Sequence, residues 1–290
     1  MFEWLESFEW LEWLESEIMP SATLQLTPDQ IAFFHREGYL SISAITTADE
    51  VVQLCGLYDR LFETRAGRDV GDHLDLTSHD DDSEAQAPSL PQILNPAKYA
   101  PELANTHLRA NASAIARQLF GPSTAFRFDH AIRKPARTGA ATPWHQDEAY
   151  ADPALDYHEV SIWIPLQEAT VENGCMWFVP RSHTLDVVPH HPIGNDPRIV
   201  GLEVDNPDAV ATGSVACPLP PGGATLHHCR TLHYTGPNIS AGPRRAYILA
   251  FGAPPTRRES LRRFIWLEQQ HTNWHERSLA AKKRPRDAPT

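Results

Sequence analysis

Residues 223–252 read GATLHHCRTLHYTGPNISAGPRRAYILAFG and contain the clearest strand pattern of the chain. A short run rich in aliphatic and aromatic residues stands at each end, and Gly, Pro and Asn lie between them, as is typical of strands joined by turns. Many short strands separated by turn residues predict a β-sandwich or barrel. Similar runs occur upstream: AFRFDHAIRK (125–134), EVSIWIPLQ (159–167), CMWFVP (175–180) and GSVACPL (213–219).

Helices are predicted before these strands. Thr27 with Gln30, and Thr47 with Glu50, have the spacing of a capping box, in which each side chain bonds the other residue's backbone. Residues 101–120 read as a third helix, because Pro stands early and Gly follows the end. The chain is therefore predicted to be mostly β with flanking helices.

Three segments are expected along the chain. Residues 19–270 are predicted to form a single domain. Residues 1–18 are an extension whose near-repeat FEWLESFEWLEWLES can form an amphipathic helix. This extension is interpreted as foreign to the natural chain or as a mis-assigned start, and the alternative is a helix that docks on a partner or covers the active site. Residues 271–290 are a charged C-terminal tail, and its segment KKRPRDAP (282–289) is predicted to be disordered.

Composition narrows the class of partner. The formal net charge is −12 over 290 residues, which disfavours binding to nucleic acid or to an anionic membrane surface. No run of about 18 apolar residues is present, so no transmembrane helix is predicted. The four cysteines form no CxxC pair, so reduced thiols in a cytoplasm are favoured over a zinc site or a disulfide framework. These patterns leave the oligomeric state open.

An acidic stretch at residues 67–91 includes a cluster from His79 to Asp82. The cluster lacks the Gly and the terminal Glu of an EF-hand loop, so a calcium site is disfavoured. A solvated, mobile loop is the preferred interpretation, and a loop of this length can also serve as an active-site lid.

Residues 142–150 read TPWHQDEAY and place His145 and Asp147 one residue apart. On a strand, residues i and i+2 point to the same face, so both side chains can reach one metal ion. Two neutral histidines and one carboxylate bind Fe(II) and leave positions open for oxygen chemistry. With 15 histidines and 37 acidic residues in the chain, this pair alone is weak evidence.

Two further motifs strengthen the metal hypothesis. His233 starts the segment HYTGPNISAGPR, in which Asn238 follows by five residues and Arg244 by eleven. Residues 172–183 read ENGCMWFVPRSH. With H-x-D, these segments resemble the phytanoyl-CoA dioxygenase family of Fe(II)/2-oxoglutarate oxygenases, whose patterns are H-x-S/T-G-x-N-x-S/T-x-x-x-R and E-N-G-x-x-x-F-x-P-G-S-H. The resemblance spans residues 28–252, and Arg181 stands where the family usually has Gly.

The resemblance implies a double-stranded β-helix, a jelly roll of the cupin-like kind. It also implies Fe(II) as the metal, 2-oxoglutarate as the cosubstrate and O₂ as the oxidant. The implied iron ligands are His145, Asp147 and His233. The implied cosubstrate-binding residues are Arg244, which would grip the distal carboxylate, together with Thr235, Trp163 and Lys134.

Several of these roles have a plainer alternative. Trp163 could be an ordinary core aromatic, and Lys134 a surface lysine. Strand alternation should send Arg245 to the face opposite Arg244, so only Arg244 is expected to bind the cosubstrate. His228 is predicted to support the metal site from behind.

The implied reaction is hydroxylation of an unactivated C–H bond in a small organic metabolite, with release of succinate and CO₂. Halogenating relatives carry a small residue in place of the carboxylate, so Asp147 favours hydroxylation, although the ligand set does not exclude desaturation or rearrangement. The alternatives are a cupin-like metalloenzyme that works without 2-oxoglutarate, and a non-catalytic binding module. Candidate pocket residues near the motifs are Trp144, Tyr150, Trp177 and Arg181.

Overall fold

A computed structural model of the chain describes residues 23–80 and 88–283. The N-terminal extension, Asp81 and Asp82 of the acidic cluster, and the last seven residues of the predicted tail lie outside the described residues. The α-helices of the described part are α1 (Pro28–Glu37), α2 (Ala48–Glu63), α3 (His107–Phe120), α4 (Pro207–Val210), α5 (Ile265–Gln269) and α6 (Asn273–Lys283). Its strands are β1 (Tyr39–Ile42), β2 (His73–Asp75), β3 (Pro91–Leu94), β4 (Ala125–Lys134), β5 (Thr142–His145), β6 (Leu155–Asp156), β7 (Glu159–Pro165), β8 (Met176–Phe178), β9 (His190–Pro192), β10 (Leu202–Val204), β11 (Val215–Cys217), β12 (Ala224–His228), β13 (His233–Thr235), β14 (Arg244–Gly252) and β15 (Thr256–Arg257).

Two antiparallel sheets form the centre of the fold. The major sheet has seven strands in the order β1-β12-β7-β14-β4-β3-β2, and the minor sheet has four in the order β11-β8-β13-β5. Apart from β2, β3 and β4, which follow one another in the chain, neighbouring strands in these orders are not consecutive, as expected when a sheet is built by crossing connections. The arrangement is a jelly roll with flanking helices, so the predicted fold class is confirmed.

The major sheet is buried on both faces. On its outer face, Ile162 and Leu249 join an apolar cluster with residues of α1, α2 and α3. On its inner face, Trp163 and Ile248 join a second cluster with Met176 and other residues of the minor sheet. Burial on both faces explains the near-continuous apolar runs of β7 and β14. The space between the two inner faces is where a jelly roll can hold a small ligand.

The capping box at Thr27 is confirmed, whereas only one of the two hydrogen bonds predicted for the box at Thr47 is present. The Thr27 side chain accepts the Gln30 backbone N–H, and the Gln30 side chain bonds back to the Thr27 backbone. Thr47 likewise accepts the Glu50 backbone N–H at 3.2 Å. The Glu50 carboxylate, however, accepts backbone N–H groups of the first two residues of α3 at 2.7 and 2.8 Å. A carboxylate is favourable at a helix N-terminus, so Glu50 joins α2 to α3.

The predicted third helix is interrupted. Residues Pro101–Ala104 form a 3₁₀ turn, and α3 starts only after Thr106, whose side chain accepts the Arg109 backbone N–H at 3.0 Å. A Thr with extended backbone that caps the next turn starts a new helix, which is why one continuous helix over residues 101–120 was wrong.

The predicted loop and tail contain ordered elements. Residues 67–91 include β2, and Asp80 is buried in ion pairs with Arg68 and Arg277. Arg277 belongs to α6, which also donates a hydrogen bond from Trp274 Nε1 to a backbone carbonyl beside β2 at 2.7 Å. Residues 273–283 of the predicted tail therefore form a helix that contacts the rest of the fold, and the segment predicted to be disordered lies outside the described residues from Arg284 onward. No helix within residues 23–80 and 88–283 is long and apolar enough to cross a membrane.

Candidate metal centre

Three side chains of metal-ligand type meet between the two sheets. His145 is the last residue of β5 and His233 the first residue of β13, and the antiparallel register pairs them directly. Asp147 follows two residues after His145. One ligand atom from each residue lies within 4.8 Å of the others, and Asp147 Oδ1 is 3.4 Å from His233 Nε2 and 3.8 Å from His145 Nε2.

The backbone between His145 and Asp147 stays extended beyond the end of β5. Gln146 has φ −120° and ψ 134°, and Asp147 then starts a 3₁₀ turn. The Gln146 side chain points away from the metal ligands, where its amide donates to the Arg230 carbonyl and accepts the Val188 N–H. The alternation expected of a strand therefore holds for the H-x-D pair even though only His145 is in one.

Both histidines direct an unprotonated ring nitrogen, Nε2, toward the candidate metal site. Nδ1 of His145 lies 2.7 Å from the Pro143 carbonyl, and Nδ1 of His233 lies 2.9 Å from the Thr231 carbonyl. Because a carbonyl oxygen only accepts, each Nδ1 carries the proton and each Nε2 keeps its lone pair toward the site. Burial and the neighbouring His233 lower the pKa of His145 to about 3, so this imidazole is neutral at neutral pH.

Asp147 is held by one of its two oxygens. Its Oδ2 accepts the Ser161 hydroxyl at 2.7 Å and lies 3.2 Å from His227 Nε2, so Oδ1 remains to face the two histidines. Burial opposes ionisation of Asp147, but the neighbouring His233 and the hydrogen bond from His227 outweigh it and keep its pKa well below the usual value. Two neutral imidazoles and one carboxylate fit the donor set of a non-haem iron site.

The histidine that supports this site is His227, and the prediction of His228 was wrong. The His227 ring lies 4.3 Å from the His233 ring, whereas His228 packs against His183 on the other face of β12. Strand alternation sends adjacent residues to opposite faces, and Leu226 already faces the helices. That alternation within GATLHH was the signal that could have identified His227. Ser161 had no signal of its own in the sequence.

Arg244 is a buried cation that pairs with no anion in the part of the chain that the structure describes. It is 1% exposed, and its Nε and Nη1 atoms have no hydrogen-bond partner within the described ranges. Its guanidinium lies over the Trp163 ring, 5.3 Å from the ring centroid, and burial lowers its pKa to about 10. An unpaired buried cation is costly, so this position suits a ligand carboxylate. Arg245 points the other way, as expected, and forms two 2.7 Å hydrogen bonds with Asp59.

The remaining cosubstrate candidates have different surroundings. Lys134 is fully buried beside Arg244, so the surface alternative is wrong. Its Nζ donates to the carbonyls of Ala140, Thr235 and Gly236 at 3.1, 3.2 and 2.6 Å, which uses all its protons. The Thr235 hydroxyl lies 3.0 Å from that of Thr142. Burial and the nearby Arg244 lower the pKa of Lys134 well below its usual value.

Most of the candidate pocket residues do not face the site. Trp144 stacks on Tyr234, with ring centroids 5.3 Å apart, on the outer face of the minor sheet, and Trp177 pairs with Tyr234 in the same register. The residues adjacent to Trp144 and Trp177 in the chain point inward, so the two tryptophan side chains must point outward. Tyr150 does pack edge-on against His145. Arg181 takes a left-handed turn conformation with φ 66° and pairs with Glu37, and its side chain is 68% exposed.

Comparisons with known proteins agree with this geometry. The family model described as "Phytanoyl-CoA dioxygenase (PhyH)" matches residues 34–246. A phytanoyl-CoA dioxygenase of Arabidopsis thaliana is 26% identical over 78% of this chain and 89% of its own length, and an ectoine dioxygenase of Sphingopyxis alaskensis is 26% identical over 79% and 77%. The crystal structure of EvdO2 from Micromonospora carbonacea var. aurantiaca, complexed with 2-oxoglutarate, is 38% identical, with TM-score 0.72 over 85% of this chain and 98% of that one.

Proposed function

Because the chain belongs to the phytanoyl-CoA dioxygenase family, we propose that it hydroxylates an unactivated C–H bond of a small organic metabolite. Its class is that of the iron(II)- and 2-oxoglutarate-dependent dioxygenases, which release succinate and CO₂. The observation that carries the proposal is the presence, in one site, of a His-Asp-His set and a buried arginine that has no anionic partner among the described residues.

The side chains divide the work of binding. His145 and His233 would hold the iron through Nε2, and Asp147 would hold it through Oδ1. Ser161 and His227 hold the second oxygen of Asp147, which keeps that carboxylate to a single ligand atom. When bound, the iron supplies the oxidation of the C–H bond by dioxygen at the expense of 2-oxoglutarate.

The cosubstrate side of the site is assigned to Arg244. Its unpaired guanidinium binds the distal carboxylate of 2-oxoglutarate, and the Trp163 ring packs against it. Thr235 is proposed to assist the same carboxylate. Lys134 is proposed to act indirectly, since it binds the backbone of residues 235 and 236 and so positions the turn after β13. A cupin-like enzyme without 2-oxoglutarate would have no use for Arg244, which disfavours that alternative.

Two broader expectations stay proposals. We propose that the described residues form one domain that extends to α6, because α6 pairs with Asp80 beside β2. We also propose a cytoplasmic location, since none of the four cysteines forms a disulfide.

The enzyme class predicts a visible absorption band. Under anaerobic conditions, Fe(II) and 2-oxoglutarate added together should produce a weak metal-to-ligand charge-transfer band, because the 2-oxo acid chelates the iron. Glutarate is the matched control: it keeps both carboxylates and lacks the keto group, so it should give no band. A protein that binds Fe(II) but gives the same spectrum with either acid would contradict the proposal.

The role of His227 predicts a difference between two adjacent histidines. His227→Phe should weaken Mn(II) binding about tenfold, the usual cost of losing a partner that orients a metal ligand. His228→Phe should leave Mn(II) affinity at the wild-type value, because His228 is on the opposite face of β12. His227→Gln restores an N–H donor and should recover most of the affinity. Equal affinities for the two Phe variants would argue against a positioning role.

A further inference from the structure

Glu148 is a buried carboxylate next to a metal ligand, and the reaction chemistry leaves it unused. Its side chain is 0% exposed, and its backbone N–H donates to the Cys229 carbonyl at 3.0 Å. It shares a 3₁₀ turn with Asp147, so the backbone of one residue cannot shift without the other. A group that holds the Glu148 side chain therefore also holds the backbone from which Asp147 reaches the metal centre.

Two arginines face the Glu148 carboxylate. Nη1 of Arg262 lies 2.7 Å from Oε1 of Glu148, and Nε of Arg230 lies 3.6 Å from Oε2. Oε2 also accepts the Cys229 thiol at 3.4 Å. Removing both charges of an ion pair from water offsets much of their attraction, so such a pair is weak evidence for stability. Its clearer effect is to restrict where the Glu148 side chain can lie.

Arg262 is itself fixed by groups other than Glu148. Its Nη1 donates to Asp186 Oδ1 at 2.7 Å, its Nη2 donates to the Leu155 carbonyl at 2.8 Å, and its Nε donates to the Pro153 carbonyl at 3.4 Å. The planar guanidinium presents these donors in a rigid fork, so the contacts of the other nitrogens fix the position of Nη1. Glu148 therefore pairs with a cation that cannot follow it.

We propose that Arg262 is a positioning residue for the metal centre: by pairing with Glu148, it fixes the turn from which Asp147 presents Oδ1 to the metal. The inference rests on the proposed function, because it takes that metal centre as the catalytic one. Ser161 and His227 hold the other oxygen of Asp147 at the end of its side chain. Arg262 adds the restraint at the backbone end of the same ligand.

The charges of this pair alone predict a different effect on a metal ion. A cation near the site repels a bound metal cation, so removing Arg262 would strengthen metal binding, and removing Glu148 would weaken it. Positioning predicts that both removals weaken binding, because either one releases the turn. The sign of the change for Arg262 therefore distinguishes the two effects.

The test measures Mn(II) affinity for variants of two arginines that are close in the chain. Arg262→Met should bind Mn(II) about tenfold more weakly, because the ligand turn loses its partner. Arg258→Met is the matched control, since Arg258 pairs with Asp156 and Asp186 but, within the described ranges, not with Glu148. It should keep the wild-type affinity even where its Tm falls. Unchanged or tighter binding by Arg262→Met, or an equal loss in Arg258→Met, would overturn the inference.

A double-mutant cycle tests whether Arg262 acts through Glu148. Glu148→Gln keeps the shape of the side chain and removes its charge, and it should also weaken Mn(II) binding. If the two residues act as one unit, the double variant should lose no more affinity than the weaker-binding single variant. Losses that multiply in the double variant would contradict the inference. Arg262→Lys keeps a charge at this position and should recover part of the affinity.

A spectroscopic readout separates positioning from a loss of stability. At saturating Co(II), the visible absorption of Arg262→Met should differ from that of the wild type, because the ligand geometry changes, and that of Arg258→Met should not. Arg262→Gln provides the same comparison if the Met variant does not fold, since Gln removes the charge and can still donate to the Leu155 carbonyl. Identical Co(II) spectra for the wild type and the Arg262 variants would be evidence against positioning.

These outcomes are distinct from a failure of the proposed function. If the wild-type protein binds no Mn(II), or if Asp147→Ala binds it equally well, the proposed metal centre fails. If Asp147→Ala loses Mn(II) and Arg262→Met does not, the metal centre stands and only the role of Arg262 is lost.

Discussion

Asp147→Ala is expected to abolish succinate release, with a loss of more than about a hundredfold, since losing a ligand costs more than losing a residue that orients one. The substitution removes the only carboxylate of the ligand set and leaves Ser161 and His227 without the oxygen that they hold. Two neutral imidazoles alone bind iron weakly. Succinate release from 2-oxoglutarate and Mn(II) affinity measured on the same preparation should both fall.

Two further variants make this prediction specific. Asp147→Asn keeps an oxygen that can accept from Ser161 but removes the charge, so it should also lose metal binding. Asp152→Ala changes an exposed acid five residues further on, which only caps a local turn, and should release succinate at the wild-type rate. Wild-type turnover by Asp147→Ala would rule out the proposed ligand set.

Arg244→Met should raise the KM for 2-oxoglutarate by about a hundredfold. Two charge-assisted hydrogen bonds to a carboxylate contribute roughly 3 kcal/mol, and each 1.4 kcal/mol corresponds to a tenfold change in affinity. Metal binding should be unchanged, because Arg244 is not among the residues that meet at the metal centre. Succinate release as a function of 2-oxoglutarate concentration gives the KM, and Mn(II) titration provides the second readout.

Arg245→Met is the matched control for this variant. The two arginines are adjacent on β14, but Arg245 pairs with Asp59 on the outer face. Its removal should lower the free energy of unfolding by roughly 1 kcal/mol or less and leave the KM for 2-oxoglutarate unchanged. If both variants raised the KM equally, the effect would come from the strand as a whole and the assignment of the distal carboxylate to Arg244 would be wrong.

Local patterns predicted those parts of the fold that depend on local physics. The predicted strand 125–134 agrees with β4 at both ends, because alternation and turn residues lie within the segment itself. The Thr27 capping box is confirmed for the same reason. The role of Glu50 could not be read this way, because its partners are at the start of α3, more than fifty residues along the chain.

The same distinction between local and long-range interactions applies to the candidate site. Motif spacing brought His145, Asp147 and His233 to attention, and the chain does bring them together. The side-chain orientations on the strands were predicted less well. Trp144 and Trp177 were expected in the pocket but point outward. His228 was expected to support the metal site, but it is His227 that faces it. Which face of a strand is buried depends on the sheet that covers it, and that sheet is assembled from distant segments.

The direct pairing of His145 with His233 also bears on how the protein acquires its activity. The two residues are separated by 88 positions (145 to 233), and β7, β8 and β12 lie between them in the chain. Such non-local strand pairs form late, so the complete ligand set arises only once β5 and β13 have closed the minor sheet. An ion that binds only this assembled state shifts the folding equilibrium toward it by mass action. The fraction of the protein that remains folded therefore increases with the supply of iron.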